Sequence, residues 1–414
     1  MERNYKSMKV IEGGVTAAKG FEAAGVEANI KYQNRKDMAL IYSTTPCQAA
    51  GTFTTNVVKA APVLWDKDIV ENSPFAQAVV VNAGVANAGT GVQGMAYCKE
   101  EADAASELLH IPQNAVLIGS TGVIGMQIPI DQIKEGIKLL AAAKADTLEA
   151  GHTAAEAIMT TDTHRKEIAV RFLVDGTEVT LGGMCKGSGM IHPNMCTMLS
   201  YITTDAAISK TLLQEALSAS IQDSYNMVSV DGDTSTNDTC LVLANGLAGN
   251  PQITEKGEAY QAFCEALDYV NTYLAKQMAA DGEGATALFE ATVYHAATKQ
   301  DARILAKSVI SSNLSKAAIY GHDANGGRFL CALGYSGVHF NPDKVDLFIE
   351  SKAGKIQIFQ DGAALDYSEE EATKILSEPE VTVLADMKMG EETATAWGCD
   401  LTYDYVKINA DYRS

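Results

Sequence analysis

Nowhere in the 414 residues do eighteen apolar residues run together, so no membrane-spanning helix is expected. The opening stretch, MERNYKSMKVIEGG, carries charges but no apolar h-region, and no secretion signal is expected from it. The eight cysteines (Cys47, Cys98, Cys185, Cys196, Cys240, Cys264, Cys331 and Cys399) form no CxxC and keep no regular spacing. That argues against zinc ribbons and disulfide frameworks, and for a reducing, cytosolic setting. None of the seven histidines has an HxxxH partner, so no metal site is expected. The chain has no GxxxxGK[ST] and no GxSxG, and GSTGVIG (119–125) lacks the GxGxxG spacing, so phosphate loops and the usual serine triad are unsupported. DGDTSTND (231–238) begins like a calcium loop, but Thr236 stands where glycine is needed and Val242 where glutamate is needed. Basic charge is also scarce. With 32 Lys and Arg against 52 Asp and Glu the net charge is −20, which repels polyanions and makes nucleic acid an unsuitable partner.

What is present describes a globular protein. With 47% hydrophobic and 20% charged residues the chain can bury a large core. Its length exceeds one ordinary domain, so two lobes or one large α/β layered body are expected. Strand-like runs occur at 38–43 (MALIYS), 78–84 (AVVVNAG), 168–174 (IAVRFLV) and 178–183 (EVTLGG), the last two flanking Asp175-Gly176, a dipeptide suited to a tight hairpin. Beyond Thr197 comes another strand, then a helix with Leu212, Leu213, Ala216, Leu217 and Ile221 on one face, capped by Asp205 or Ser209. Tyr260, Phe263, Leu267, Val270, Leu274 and Met278 form one apolar stripe of a second helix and read as core. Further strands are expected at 291–296, 345–350, 356–362, 381–387 and 401–412, interleaved with helices around 299–312 and 368–377. Sheets covered by helices on their outer faces are the expected architecture. No repeat or low-complexity linker marks a boundary between lobes.

The stretch KGSGMIHPNMCTML, from Lys186 to Leu199, combines a glycine-rich turn, a lone lysine and a proline ahead of Cys196-Thr197. A threonine can be a nucleophile without histidine or aspartate if the chain is cut just before it, because the freed α-amine serves as its base. That amine, with a pKa of about 8, is partly neutral at cellular pH. Thr197 read alone also suits the start of a strand, where β-branched residues are common.

The stretch closely resembles the cleavage motif KG-G-MI-PNMATML of the ornithine acetyltransferase family, also called glutamate N-acetyltransferase, of arginine biosynthesis. GSTGVIG, AIMTTDT (157–163), VDGDTSTND, DGEGAT (281–286), GYSG (334–337) and the closing AWGCDLTYDYVKINADYRS are similar to further family signatures, in family order and almost end to end. The resemblance implies an N-terminal-nucleophile-like αββα layered core with a second, smaller α/β lobe. It implies a precursor cut between Cys196 and Thr197 into an α chain, 1–196, and a β chain, 197–414, which pair into an α2β2 assembly. Acetyl would pass from N-acetylornithine to Thr197 and then to glutamate. No cofactor is implied. Some members also accept acetyl-CoA, and members of both kinds share these motifs.

The resemblance also assigns roles. Thr121 and Gly122 match the oxyanion pair, a hydroxyl and a backbone N–H, each such donor contributing about 3 kcal/mol. Thr160, Lys186, Glu283, Asn409 and Ser414 match substrate-contacting positions; Lys186 would suit a carboxylate, and Glu283 would hold the ornithine amine or guide protons. Read without the resemblance, Asn409 and Ser414 belong to a frayed terminus. Departures from the family pattern are Cys196 for alanine, His192 for a small residue, Ala287 for lysine, Gly326 for tryptophan, and Val85 and Gly89 at positions often asparagine and cysteine. The acyl shift attacks a carbonyl, so Cys196 should be tolerated; the others bear on acceptor range and stability. The alternatives are an amidohydrolase or aminopeptidase of related fold, in which water deacylates the same intermediate, and a non-catalytic acidic binding protein.

Overall fold

The computed structural model describes residues 8–192 and 198–411. The described residues of Met1–Gly187, Asn194–Tyr225 and Thr234–Leu274 form one compact unit, and those of Ser188–Pro193, Asn226–Asp233 and Ala275–Ser414 form another. This is a division by packing. The expected covalent boundary at 196/197 is of a different kind, because described residues on both sides of it contribute strands to one sheet.

The first unit carries nine strands. Their spatial order is Lys9–Ile11, Lys166–Val174, Thr177–Lys186, Leu199–Thr204, Thr239–Ala244, Met38–Phe53, Ala76–Val85 and Val116–Val123, with Phe21–Val26 also paired to Met38–Phe53. Met38–Phe53 serves two layers. Residues 38–43 pair with Phe21–Val26, residues 38–42 also pair with Ala76–Val85, and residues 48–53 pair with Thr239–Ala244. The register on Ala76–Val85 shifts between Tyr42 and Cys47, the kind of irregularity that bends a strand from one sheet into the next.

Side-chain alternation then builds the layers. Ala39, Ile41, Val79, Val81 and Leu117 of one half share a buried cluster with Met184, Leu199, Tyr201, Leu241 and Leu243 of the other. Met38, Leu40, Val80 and Ile118 face the opposite way and pack with Cys98 and Ala102 of the helix Val92–Leu109 and with Ile133 and Ile137 of Ile130–Ala143. On the far side of the other half, Phe172 meets Phe263 of the helix Glu258–Ala280 edge to face, with ring centroids 6.4 Å apart. There too the Gln214 amide of the helix Lys210–Gln222 bonds both the N–H and the carbonyl of Gly51, each at 3.0 Å. The sequence of layers is helix, sheet, sheet, helix, the αββα core expected. The Asp175-Gly176 turn forms as a two-residue hairpin with φ of 48° and 80°, closing Val174 onto Thr177. Ser209 caps its helix by accepting from Leu212 N–H, while the Asp205 carboxylate instead accepts from Thr180 and Lys19.

The second unit is the smaller α/β lobe. Its strands run in the spatial order Ala363–Ala364, Gly354–Gln360, Asp346–Ser351, Glu380–Asp386, Leu288–Ala296, Glu392–Cys399 and Val228–Ser229. The helices Lys299–Ser311, Gly326–Gly334 and Glu369–Leu376 accompany them, with Phe289 of the sheet packed against Phe329. One expectation fails here. Of the segment 401–412, the described residues 401–411 hold no strand; Tyr403–Ala410 is a helix, and its first turn is capped by the Thr402 hydroxyl, which accepts from Tyr405 N–H. The strand of this region is Glu392–Cys399 instead. Among the described residues, no helix is long and apolar enough to cross a membrane.

Candidate active site

In the first unit, Thr121 and Gly122 do not lie in a free glycine turn. They are the two residues before the last of the strand Val116–Val123, paired in parallel with Ala76–Val85. Register is irregular there, around Gly84 and Val85, and Gly122 has φ of 134°. A Cβ on Gly122 would sit 2.2 Å from the Gly84 carbonyl carbon, so the close approach of the two strands and the left-handed backbone both require glycine. Asn237 secures the same place. Its amide donates to Ser120 O at 2.8 Å, within the strand Val116–Val123, and to Ala86 O at 2.5 Å, just past the end of Ala76–Val85, and its own oxygen accepts from the Thr236 hydroxyl at 2.6 Å.

Lys186, at the end of the strand Thr177–Lys186, places Nζ 3.3 Å from Thr121 Oγ1. An ammonium only donates, so the Thr121 oxygen accepts in this contact and its proton is left to be donated elsewhere. Both side chains are buried, at 8% and 9% exposure. A buried cation beside a hydroxyl donor suits a site in which negative charge arrives or develops.

Asp162 organises the surroundings. Its Oδ1 accepts from Lys166 Nζ at 2.7 Å and Gly187 N–H at 2.8 Å, and its Oδ2 accepts from Thr160 N–H at 3.0 Å. Burial alone would raise this carboxyl, but the Lys166 and Lys186 charges and the Gly187 N–H outweigh it and hold the group well below the usual carboxylate range. Arg35 completes the frame by donating to the carbonyls of Met159 and Thr160 at 2.6 and 3.0 Å. The structure thus ties Thr160, through Asp162, to Gly187 next to Lys186, and Lys186 to Thr121, the neighbour of Gly122.

In the second unit, Glu283 is buried in the loop after Ala280 and its Oε2 accepts from Asn409 Nδ2 at 2.7 Å. The loop is fixed from three directions. Glu283 N–H donates to Ser188 O at 3.0 Å, Thr402 Oγ1 donates to Gly284 O at 2.7 Å, and Asp400 accepts from Thr286 and Ala287 N–H at 2.8 and 3.1 Å. Gly189 is needed beside it, because a Cβ there would lie 2.3 Å from the Glu283 carboxyl. Asp231 accepts from Met190 and Ile191 N–H at 2.6 and 2.9 Å and from Tyr405 OH at 3.3 Å.

Two departures have local explanations. Gly326 starts a helix directly beneath Phe359, whose ring lies 2.6 Å from where a Cβ would be, so a larger residue has no room. His192 Nδ1 meets Ser229 Oγ at 2.9 Å, and burial, assisted by the Lys307 charge, pushes the imidazole down to about 4. Burial also takes the Lys307 ammonium down to about 8.

Cys196, Thr197 and Ser414 lie outside the described residues. Asp162, Asn237 and Asp231 were not singled out from the sequence as site residues. Their only signal there is membership of AIMTTDT and VDGDTSTND, and their acidic or amide side chains bond positions as much as 151 residues away.

A family model described as the ArgJ family matches residues 22–414. A relative from Symbiobacterium thermophilum, named arginine biosynthesis bifunctional protein ArgJ, is 53% identical over 409 residues, covering 98% of this chain and 100% of the relative. A relative of the same name from Thermotoga neapolitana is 50% identical over 397 residues, covering 96% and 99%. Among solved structures, an ornithine acetyltransferase complexed with ornithine, from Mycobacterium tuberculosis, is 38% identical, covers 45% of this chain and 99% of that chain, and superposes with a TM-score of 0.43.

Proposed function

Since this chain belongs to the ArgJ family, we propose that it is the acetyltransferase of arginine biosynthesis that moves acetyl from N-acetylornithine to glutamate through an acetyl-threonine on Thr197. The precursor first cuts itself. The Thr197 hydroxyl attacks the Cys196 carbonyl carbon and the peptide C–N bond breaks, which frees the Thr197 α-amine; water then hydrolyses the resulting ester, releasing the Cys196 carboxyl group and restoring the Thr197 hydroxyl. That amine takes the hydroxyl proton as Thr197 Oγ attacks the acetyl carbonyl of N-acetylornithine. Thr121 Oγ–H and Gly122 N–H stabilise the oxyanion, and collapse expels ornithine with the proton. The α-amine of glutamate then attacks the acetyl ester, giving N-acetylglutamate and the free enzyme.

The observation that carries this reading is the buried contact of Lys186 Nζ with Thr121 Oγ1 at 3.3 Å, which leaves the hydroxyl a donor in a positively charged environment. Lys186 would take the substrate carboxylate, Thr160 would contact the substrate, and Glu283, oriented by Asn409, would take the ornithine amine. Acetyl-CoA is a further proposed donor; no cofactor enters the cycle. Ser414 would contact substrate, and two cleaved precursors would associate as α2β2 in the cytoplasm.

The test is direct. Denaturing electrophoresis and N-terminal sequencing of active enzyme should show a fragment beginning Thr-Met-Leu-Ser in place of the 44.0 kDa chain. Thr197→Ala should remove cleavage and lower transfer by more than about a thousandfold. Full-length active enzyme, or transfer surviving in the variant, overturns the mechanism; free acetate in place of N-acetylglutamate would mark a hydrolase. Native mass and assays with each donor alone test the assembly and the use of acetyl-CoA.

A further inference from the structure

The calcium-like stretch DGDTSTND binds no ion in the proposed cycle, yet its first carboxylate does something specific. Asp231 Oδ2 accepts from Met190 N–H at 2.6 Å and Oδ1 from Ile191 N–H at 2.9 Å, with Asp233 N–H at 3.3 Å on the same oxygen. Met190 has φ of 56°, a left-handed backbone that a long unbranched side chain seldom adopts. Ile191 is gripped on its other side as well, its carbonyl accepting from Val230 N–H at 2.7 Å, and its side chain is only 2% exposed. This turn ends six positions before Thr197.

We propose that Asp231 is a positioning residue for self-cleavage, holding the strained Met190-Ile191 turn so that the chain enters the Cys196-Thr197 segment in the geometry the acyl shift needs. The proposal rests on the acetyl-threonine reading. Two successive N–H groups aimed at one carboxylate compensate the unfavourable Met190 conformation. Without them the turn relaxes to an ordinary backbone, and self-cleavage downstream of it slows. Asparagine has nearly the same shape, but it turns an NH2 donor onto one of these N–H groups. Tyr405 OH, 3.3 Å from Asp231 Oδ2, ties the same carboxylate to the helix that carries Asn409.

The experiment follows self-cleavage of freshly synthesised full-length chain over time. Asp231→Asn should slow it by about 10- to 100-fold, the scale of a misplaced reacting pair. Met190→Gly, which removes the left-handed penalty, should recover several-fold of the loss when combined with Asp231→Asn, an effect that general destabilisation does not produce. If Asp231→Asn does not accumulate as folded protein, Asp231→Glu carries the same test at the same thresholds. Cleavage within about twofold of the unaltered chain, or no recovery with Met190→Gly, overturns the proposal. An unaltered chain that is never cut overturns the acetyl-threonine reading itself, so the two failures are distinguishable.

Discussion

Glu101 lies on the inner side of the helix Val92–Leu109 and is fully buried, and both of its carboxyl oxygens lack a hydrogen-bond partner among the described residues. Asp66, of the helix Ala61–Asn72, is equally buried; one of its oxygens accepts from Ile118 N–H at 2.7 Å and the other has no partner. Burial, with the neighbouring Glu100 charge, pushes the Glu101 carboxyl up to about 8, and burial raises Asp66 well above the usual range. The sign follows from linkage. An acid whose folded value is raised costs nothing below its unfolded value of 4.5, costs progressively more as pH rises towards about 8, and a constant amount above that. At pH 7 the penalty is about 3 kcal/mol, from 1.36 kcal/mol per pH unit between the unfolded value and pH 7. Glu101→Met fills similar space and removes no hydrogen bond, so it should stabilise the first unit by about that amount at pH 7 and by little at pH 4.5. The assay is urea unfolding of uncleaved Thr197→Ala chain, with and without Glu101→Met, at several pH values. Trp65, on the same helix as Asp66, serves as the fluorescence probe. A variant no more stable at pH 8 than its parent, or one with the same slope of stability against pH, would refute the reasoning.

Asp162→Asn breaks an ion pair with both side chains at 0% exposure and should destabilise the first unit by about 3–5 kcal/mol. Because the folded carboxyl is depressed, the stability it contributes is present above its unfolded value and lost as pH falls through the folded one. The wild type should therefore lose stability on acidification in a range where Asp162→Asn is flat, as read by denaturant midpoints. The same variant should raise KM for N-acetylornithine, since Thr160 and the Lys186-Gly187 backbone both lean on Asp162. Gly122→Ala should lower kcat by at least the 10² to 10³ expected for one lost oxyanion donor, because Gly84 and Gly122 cannot keep their approach around a Cβ; unchanged kcat would remove Gly122 from the oxyanion role.

Legibility from sequence followed the range of the interaction. The Asp175-Gly176 hairpin, the Ser209 cap and the stripe from Phe263 to Met278 are set by neighbours a few residues apart, and the structure has them. The segment 401–412 misled because Tyr403, Tyr405, Val406 and Ile408 suit a strand by composition. The deciding factors were Thr402, which caps the first turn, and its bond to Gly284, 118 residues away. The helix Val92–Leu109 went unread because much of its buried face is small, Gly94, Ala102 and Ala105, and gives only a faint apolar stripe; Ile130–Ala143, with Ile133, Ile137 and Leu140 on its buried face, carried a legible stripe that the sequence reading passed over. Of the candidate site residues, Thr121, Gly122 and Lys186 in the first unit and Glu283 in the second were reached through motifs, whereas Asp162 and Asn237 hold carbonyls and N–H groups whose positions no local pattern predicts.

The strands Thr177–Lys186 and Leu199–Thr204 are neighbours in register, Lys186 opposite Leu199 and Leu181 opposite Thr204, and the expected cut falls in the connection between them. A cut there severs a hairpin at its loop and leaves its rungs in place. Leu199–Thr204 in turn is zipped to Thr239–Ala244, which is zipped to Met38–Phe53, so the later fragment is woven into the interior of a sheet whose flanks on both sides come from the earlier one. Made separately, residues 1–196 would present two raw strand edges in this sheet, and residues 197–414 would bring to it only a two-stranded ribbon with none of its flanking strands. Two genes split at codon 197 would thus be a poor substitute for one gene whose product folds whole before the expected cut. For a chain cut at the expected place, the strand order requires folding before scission.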